Sequence, residues 1–559
     1  MLLRLLPLLL LLSGCQLLPA GADDPQAPHS SAQAAAATAH PLATDAAMAV
    51  MANGGNAFDG AVAAAAVLGV AEPYSAGLGG GGFWLLRDAH GQARVIDARE
   101  TAPGKAHPDM YLDDNGEVLE GRPSLNGPLA AAIPGQPAAL AHISKTYGQV
   151  PLAESLAAAI TIARQGFTVN ERYQRLAGWR AEIMAADDTT RSVFLAGSDQ
   201  APEPGTLIRQ PALATTLETL AAKGHDGFYR GQLAQALVAD VQTAGGIWTL
   251  EDLADYALIE RAPARIVFGD AEILTAPAPS SGGVALTQMF TMLEIRPAPV
   301  DAPERTHHLA EIMRRAYHDR AFYLGDPDFT EIPLVQLLNP DYLRQQADSI
   351  DPDRATVSDT LYGLEDQGPH TTHLSVVDAD GNQVSATLSI NYPFGSGITS
   401  AATGVLLNNE MDDFSIKPGE PNAYGLVGGA ANRVEAGKRP LSSMSPIIMT
   451  TPEHTWLLGT PGGSRIITMN FLGLLHALEG MDPETLVSQP RFHHQYLPDQ
   501  IQHEPDTFPP ETRQALKAMG HSLDDLGRRY GNMQVIRIGA HGLTEAASDP
   551  RGSGSARSK

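Results

Sequence analysis

A chain of 559 residues with 43% apolar and 18% charged side chains has the length and composition to bury a large core, which excludes a disordered tail protein. Acidic residues outnumber basic ones 63 to 38, giving a formal charge of −25, and no basic stripe with interleaved aromatics offsets it, which argues against a nucleic-acid partner. The single cysteine, Cys15, excludes an intramolecular disulfide and a cysteine-based metal cage.

The chain begins with Arg4 and an apolar run from Leu5 to Leu12. That run is far short of the ~20 residues that span a bilayer as a helix, and it reads as an export signal. Leu12-Ser13-Gly14-Cys15 resembles the lipobox of bacterial lipoproteins. That likeness implies a signal peptide over residues 1–14, lipidation of Cys15 and, with Gln16 following, an outer-membrane anchor facing the periplasm of a Gram-negative cell. Residues 15–40, rich in Ala, Pro, Ser and Gln, read as a flexible tether.

Thr44 is placed to cap a short helix ending at Asn53-Gly54-Gly55, and Asn56 to cap an Ala/Val-rich helix to about Val70. The second helix is apolar almost all round, which predicts burial. Gly77 to Gly82 formally satisfies G-x-G-x-x-G, but a helix precedes it and a β-hairpin, Phe83–Arg87 with Ala93–Asp97, follows. A dinucleotide loop needs the reverse order, so the glycines instead predict close backbone passage. Residues 125–260 and 300–350 carry amphipathic helical patterns. His307, Glu311 and His318 share a helix face, but Glu311 and His318 lie about 10 Å apart along its axis, too far to share an ion. His493 and His494 read as structural. No metal site and no cofactor are expected.

From Thr371 the pattern turns to strands: Thr372–Asp378 and Gln383–Ile390 around an Ala379-Asp380-Gly381-Asn382 turn, with a further strand at Trp456–Gly459 and a helix from Ser464. Thr371 stands at the head of the first. A threonine hydroxyl needs a base to attack, and if the bond after His370 is broken, the freed α-amino group, with a pKa of roughly 7.7–8.0, supplies one within the same residue.

Thr371-Thr372-His373 through Asn391, Asn408 to Phe414, Pro440 to Pro446 and Gly459 to Arg465 together resemble the γ-glutamyltransferase family, as do Asp97-Ala98-Arg99-Glu100 and the glycine run. The resemblance runs from about residue 40 to Arg551. It implies an α+β fold of the N-terminal-nucleophile hydrolase type, a four-layer αββα sandwich. It also implies self-cleavage between His370 and Thr371 into a large subunit, 41–370, and a small one, 371–559, that stay together as a heterodimer. Thr371 would then form a γ-glutamyl ester, from glutathione or a related donor, and release it to water, an amino acid or a peptide.

Against that substrate, Arg99 is the expected partner of the α-carboxylate, with Ser442 and Ser443 adding hydrogen bonds. Glu410 and Asp413, assisted by Asn391, are the expected holders of the α-ammonium. N–H groups of Gly462 and Gly463 are expected to meet the oxyanion. Thr372 and Ser389 are expected to orient the nucleophile, Ser389 departing from the threonine usual in the family. Residues 421–429 resemble a lid loop, with Tyr424 as its gate. Two alternatives stay open: a glutaryl or cephalosporin acylase of the same fold, whose substrates have no α-ammonium for Glu410 and Asp413 to hold, and an inactive peptide-binding lipoprotein.

Overall fold

A computed structural model describes residues 33–358 and 371–559. Its two large sheets are built from strands β1 (Ala35–Thr38), β2 (Gly81–Arg87), β3 (Ala93–Ala98), β4 (Ile259–Arg261), β5 (Ala264–Phe268), β6 (Ala271–Thr275), β7 (Thr372–Val377), β8 (Gln383–Ser389), β9 (Ile447–Thr450), β10 (Thr455–Gly459), β11 (Gln534–Ile538), β12 (Thr544–Ser548) and β13 (Ser555–Ser558). One sheet has the order β13-β1-β7-β8-β2-β3-β4 and the other β12-β11-β10-β9-β6-β5. Neighbouring strands in both are antiparallel.

Side-chain alternation makes the layers. Along β2, Phe83 and Leu85 point into the apolar seam shared with Leu274, Ile448, Leu457 and Ile536 of the opposite sheet. Trp84 and Leu86 point the other way, onto α1 (Pro41–Ala52), α2 (Ala57–Ala71), α3 (Gln136–Tyr147) and α4 (Leu152–Gln165). The outer face of the second sheet, with Ile273, Ile447, Met449, Trp456 and Val535, packs on α5 (Gly282–Ile295), α6 (Ala302–Tyr323) and α7 (Ile466–Leu478). The result is helices, sheet, sheet, helices: the expected αββα sandwich.

The hairpins β2–β3 and β7–β8 form where the turn chemistry placed them, with Gly381 at φ +92° in the second turn. Asn56 caps α2 through a capping box with Asp59, and that helix is buried almost throughout. The glycine run lets backbones pass: a side chain at Gly79 would strike the Leu406 carbonyl, and one at Gly80 the Ser389 carbonyl.

Two expectations fail at the N-terminal end. Residues 35–38 are not tether but the fully buried strand β1, clamped between β13 and β7. Alanines that look like linker composition are small enough to sit between two packed faces. The cap of α1 is His40, whose Nδ1 accepts from the Leu42 N–H, because Pro41 already opens the helix. Thr44 lies inside, where its hydroxyl meets Thr38 Oγ1 at 2.8 Å and donates to the Ser555 carbonyl. Cys15 and His370 lie outside the described residues. Among the described residues no helix is long and apolar enough to cross a membrane.

Candidate active site

Strand register sets the site. Thr372 pairs with Leu388, so Thr371 comes just before the first paired residue of β7 and Ser389 one step beyond the matching end of β8. Residues 371, 373 and 375 face the seam between the sheets. Thr371, itself buried, lines a small cavity with Arg99, Arg320, Ser389, Asn391, Asp413, Tyr424, Ser442, Ser443 and Gly463. The large and small halves of the chain both supply walls.

Thr372 points the opposite way. Its hydroxyl donates to Glu72 Oε2 at the end of α2, away from Thr371. Its hydroxyl therefore anchors the strand from the face opposite Thr371. Ser389 Oγ accepts from the Asn391 N–H at 2.7 Å. This bond holds Asn391 at φ +68°, a conformation that asparagine tolerates better than most residues.

Arg99 follows β3, and its N–H is fixed on Asp97 Oδ1. The guanidinium bridges Glu410, at 2.9 Å, and Asp413, and also donates to the Pro440 carbonyl. One cation thus stands among buried acids, Glu410, Asp413 and, at 3.5 Å, Glu100. Burial raises the Glu410 and Asp413 carboxyls, while Arg99 pulls both down. Burial beside Glu410 also raises Glu100, adjacent to Arg99. The Asp413 carboxylate, on the cavity wall, suits an ammonium group.

Gly463, at φ +52°, opens the turn that leads into α7 and lines the cavity; Gly462, before it, has an extended φ of 163°. Tyr424 closes the cavity from above. Its hydroxyl donates to the Asn391 carbonyl at 2.8 Å, and its own carbonyl accepts from Gln495. Its ring lies so close to Gly463 that a β-carbon there would stand 2.5 Å from it. The loop is tied down further where the Ala423 N–H donates to Asp412 Oδ2.

Sequence reasoning missed Arg320 on α6. It is buried on the cavity wall and donates from Nε to Ser281 Oγ and from Nη2 to Ser443 Oγ. Its helix also carries Glu304, Arg314, Arg315 and Asp319, which read as a solvated face. Only the alternation of these charges with Leu309, Ile312, Met313 and Ala316 hinted that the helix is enclosed.

His307 and Glu311 do gather a third residue, but it is His521, not His318. Each is already engaged. His307 bonds to His521 and to the Asp351 carbonyl, both at 2.7 Å. Glu311 pairs with Arg314 and Arg315 and accepts from Thr356. Burial alone would raise the Glu311 carboxyl, but those arginines hold it down to about 2. A cation there would face two guanidiniums. His493 hydrogen-bonds to Thr468 and Gln495 and His494 to the Tyr496 N–H, both buried.

A four-layer αββα sandwich with a threonine displayed at the head of a central strand defines an N-terminal-nucleophile hydrolase. Residues 43–558 match the family described as gamma-glutamyltranspeptidase. The chain is similar to a glutathione hydrolase proenzyme of Pseudomonas aeruginosa, 44% identical over 90% of each chain. It is also similar to a glutathione hydrolase proenzyme of Escherichia coli, 39% identical over 94% of this chain and 91% of the other. The structure resembles a cephalosporin acylase from Bacillus halodurans with a TM-score of 0.81 at 26% identity, covering 94% and 96% of the two chains. The chain belongs to the γ-glutamyltranspeptidase family.

Proposed function

We propose that this chain is a self-cleaving γ-glutamyl hydrolase and transferase acting on glutathione or related γ-glutamyl amides. The observation that carries the proposal is the cavity joining Thr371 to a clamp of Arg99, Glu410 and Asp413 and to the paired hydroxyls of Ser442 and Ser443.

In maturation, Thr371 Oγ attacks the carbonyl of residue 370, the C–N bond opens, and water hydrolyses the resulting ester. The free α-amino group of Thr371 then takes the Oγ proton as Oγ attacks the γ-carbonyl of the donor. The oxyanion is met by N–H groups at Gly462 and Gly463, where one such donor is worth ~10²–10³ in rate. The C–N bond of the donor breaks, the proton passes to the leaving amine, and water or an acceptor amine releases the γ-glutamyl group. Tyr424 and its loop shield the ester from bulk water.

The acylase reading fits the same fold. A glutaryl group, however, brings no cation to the Asp413 carboxylate on the cavity wall. Hydrolysis of γ-glutamyl and glutaryl p-nitroanilides compares the two directly. The γ-glutamyl compound is expected to have the higher kcat/KM, and preference for the glutaryl compound overturns the proposal.

The proposal extends to location: export, processing at Cys15 and a lipid anchor in the periplasm. The lipobox-like stretch before the only cysteine supports it. Partition of the wild-type protein into detergent, lost in Cys15→Ala, is the expected result; equal partition of both sinks the anchor.

A further inference from the structure

In a chain with 63 acidic residues, an arginine readily finds a carboxylate. Arg491 pairs with Asp549 and Arg551 with Glu504 in the interior, and Arg164 with Glu218 nearer the surface. Three neighbours depart from this pattern. Arg172 and Arg175 stand on the first turns of the helix Glu171–Ala185, and Arg528 on the loop before β11. Among the described residues no carboxylate lies within ion-pair distance of any of the three, and the buried Nε of Arg172 has no hydrogen-bond partner. Glu72 feels the charge of Arg172, but its carboxylate already accepts from the hydroxyls of Tyr74 and Thr372. Arg175 and Arg528 are exposed. Partial enclosure, and after it the charges of Arg172 and Arg528, lower the pKa of Arg175, so the three guanidiniums repel one another at close quarters.

Tyr392 ties this patch to the catalytic cavity. It follows Asn391 of the cavity wall, and its ring centroid lies 6.1 Å from that of Tyr424, which closes the cavity. Arg528 lies within electrostatic reach of the Tyr392 phenol. Arg180 stands 5.4 Å from the Tyr392 ring and is fixed there by the carbonyls of Pro393 and Gly395, adding positive charge to the same rim. One aromatic ring thus separates the arginines from the closing tyrosine. With a γ-glutamyl group in the cavity and its carbonyl at Thr371, the amine part of the donor has to project out of it. A dipeptide amine part ends in a carboxylate, and two residues reach up to ~7 Å. Guanidiniums are the natural partners of such a group, by bidentate hydrogen bonding and by charge.

We propose that Arg172, Arg175 and Arg528 form a site outside the cavity for the terminal carboxylate of the donor's amine part, so that the enzyme selects γ-glutamyl peptides over γ-glutamyl amides without that charge. A carboxylate arriving there relieves the mutual repulsion of the three cations. On a protein of formal charge −25, a local positive rim also draws in an anionic peptide that the rest of the surface repels. An acceptor amine enters where the leaving amine departs, so acceptor peptides are selected by the same contact.

This inference rests on the γ-glutamyl reading of the cavity, and the test separates the two. Steady-state hydrolysis by the matured full chain is measured for wild type, the double variant Arg175→Gln with Arg528→Gln, and the double variant Arg175→Glu with Arg528→Glu. Both positions are exposed, so the variants keep the fold. The substrates are glutathione, its C-terminal glycinamide and γ-L-glutamyl p-nitroanilide, the last two without a carboxylate on the amine part. Wild type is expected to favour glutathione over its amide in kcat/KM. The glutamine pair is expected to raise KM for glutathione about 5- to 30-fold, between the effect of an exposed ion pair and that of a hydrogen bond to a charged group. The amide and the anilide are expected to change less than about 2-fold, and the glutamate pair to invert the preference. Equal changes on all three substrates, no change on any, or a wild type that does not distinguish glutathione from its amide overturn the carboxylate site. A wild type that cleaves none of the three overturns the γ-glutamyl reading and the site with it.

Discussion

Gly463→Ala places a methyl group against the ring that closes the cavity. Position 463 has φ +52°, where a residue with a β-carbon costs about 1–2 kcal/mol. The new carbon would stand 2.5 Å from Cδ1 and Cε1 of Tyr424. The ring cannot yield freely, because its hydroxyl is held on the Asn391 carbonyl and its backbone carbonyl on Gln495. Overpacking of this kind costs about 1–3 kcal/mol, for a total of roughly 2–5 kcal/mol. If the turn shifts instead, the Gly463 N–H leaves its proposed place at the oxyanion, and kcat is expected to fall by ~10²–10³. Urea unfolding and kcat/KM on a γ-glutamyl anilide are measured for Gly463→Ala, Tyr424→Ala and the double variant. The steric part should vanish once the ring is gone, so the double variant should be more stable than the sum of the singles by at least about 1 kcal/mol. A Gly463→Ala enzyme with wild-type stability and kcat, or strictly additive effects, refutes the reasoning.

Tyr424→Phe removes the hydroxyl bond to Asn391, worth about 0.5–1.5 kcal/mol, and is expected to speed amide exchange across residues 421–429; unchanged exchange means that this bond does not latch the loop. Burial lowers the pKa of His40 to about 4 and that of His373 to about 3. The unfolded chain therefore takes up protons that the folded one refuses, beginning near the ordinary value of 6.5. Stability from each histidine is complete above that pH and is lost at about 1.4 kcal/mol per pH unit on acidification, down to about 4 for His40 and about 3 for His373. Urea midpoints that stay flat between pH 6.5 and 4 contradict this.

Much of the fold was legible because it rests on local chemistry. The β7–β8 hairpin follows from its turn residues, and burial of α2 follows from its uniform Ala/Val surface. The nucleophile and its charged neighbours were reached through motif resemblance, since residues 99, 371, 413, 442 and 463 meet only in three dimensions. Strand β1 was not legible: four small residues look the same whether they float or pack between sheets, and its partners β7 and β13 lie far along the chain. Thr372 was misjudged because alternation turns the residue next to the nucleophile onto the opposite face, where it meets Glu72. Arg320 was hidden by its setting on a charged helix, whose polar residues are paired inside the protein instead of being solvated.

The central claim is that Thr371 both cuts the chain and performs the catalysis. Purified wild type and Thr371→Ala are run on a denaturing gel, with N-terminal sequencing of the smaller fragment and assay on a γ-glutamyl anilide. The account predicts a wild-type fragment beginning Thr371-Thr372-His373, and a Thr371→Ala chain that stays whole and inactive. A new N-terminus at any other residue, or a Thr371→Ala chain that still splits and turns over substrate, contradicts it.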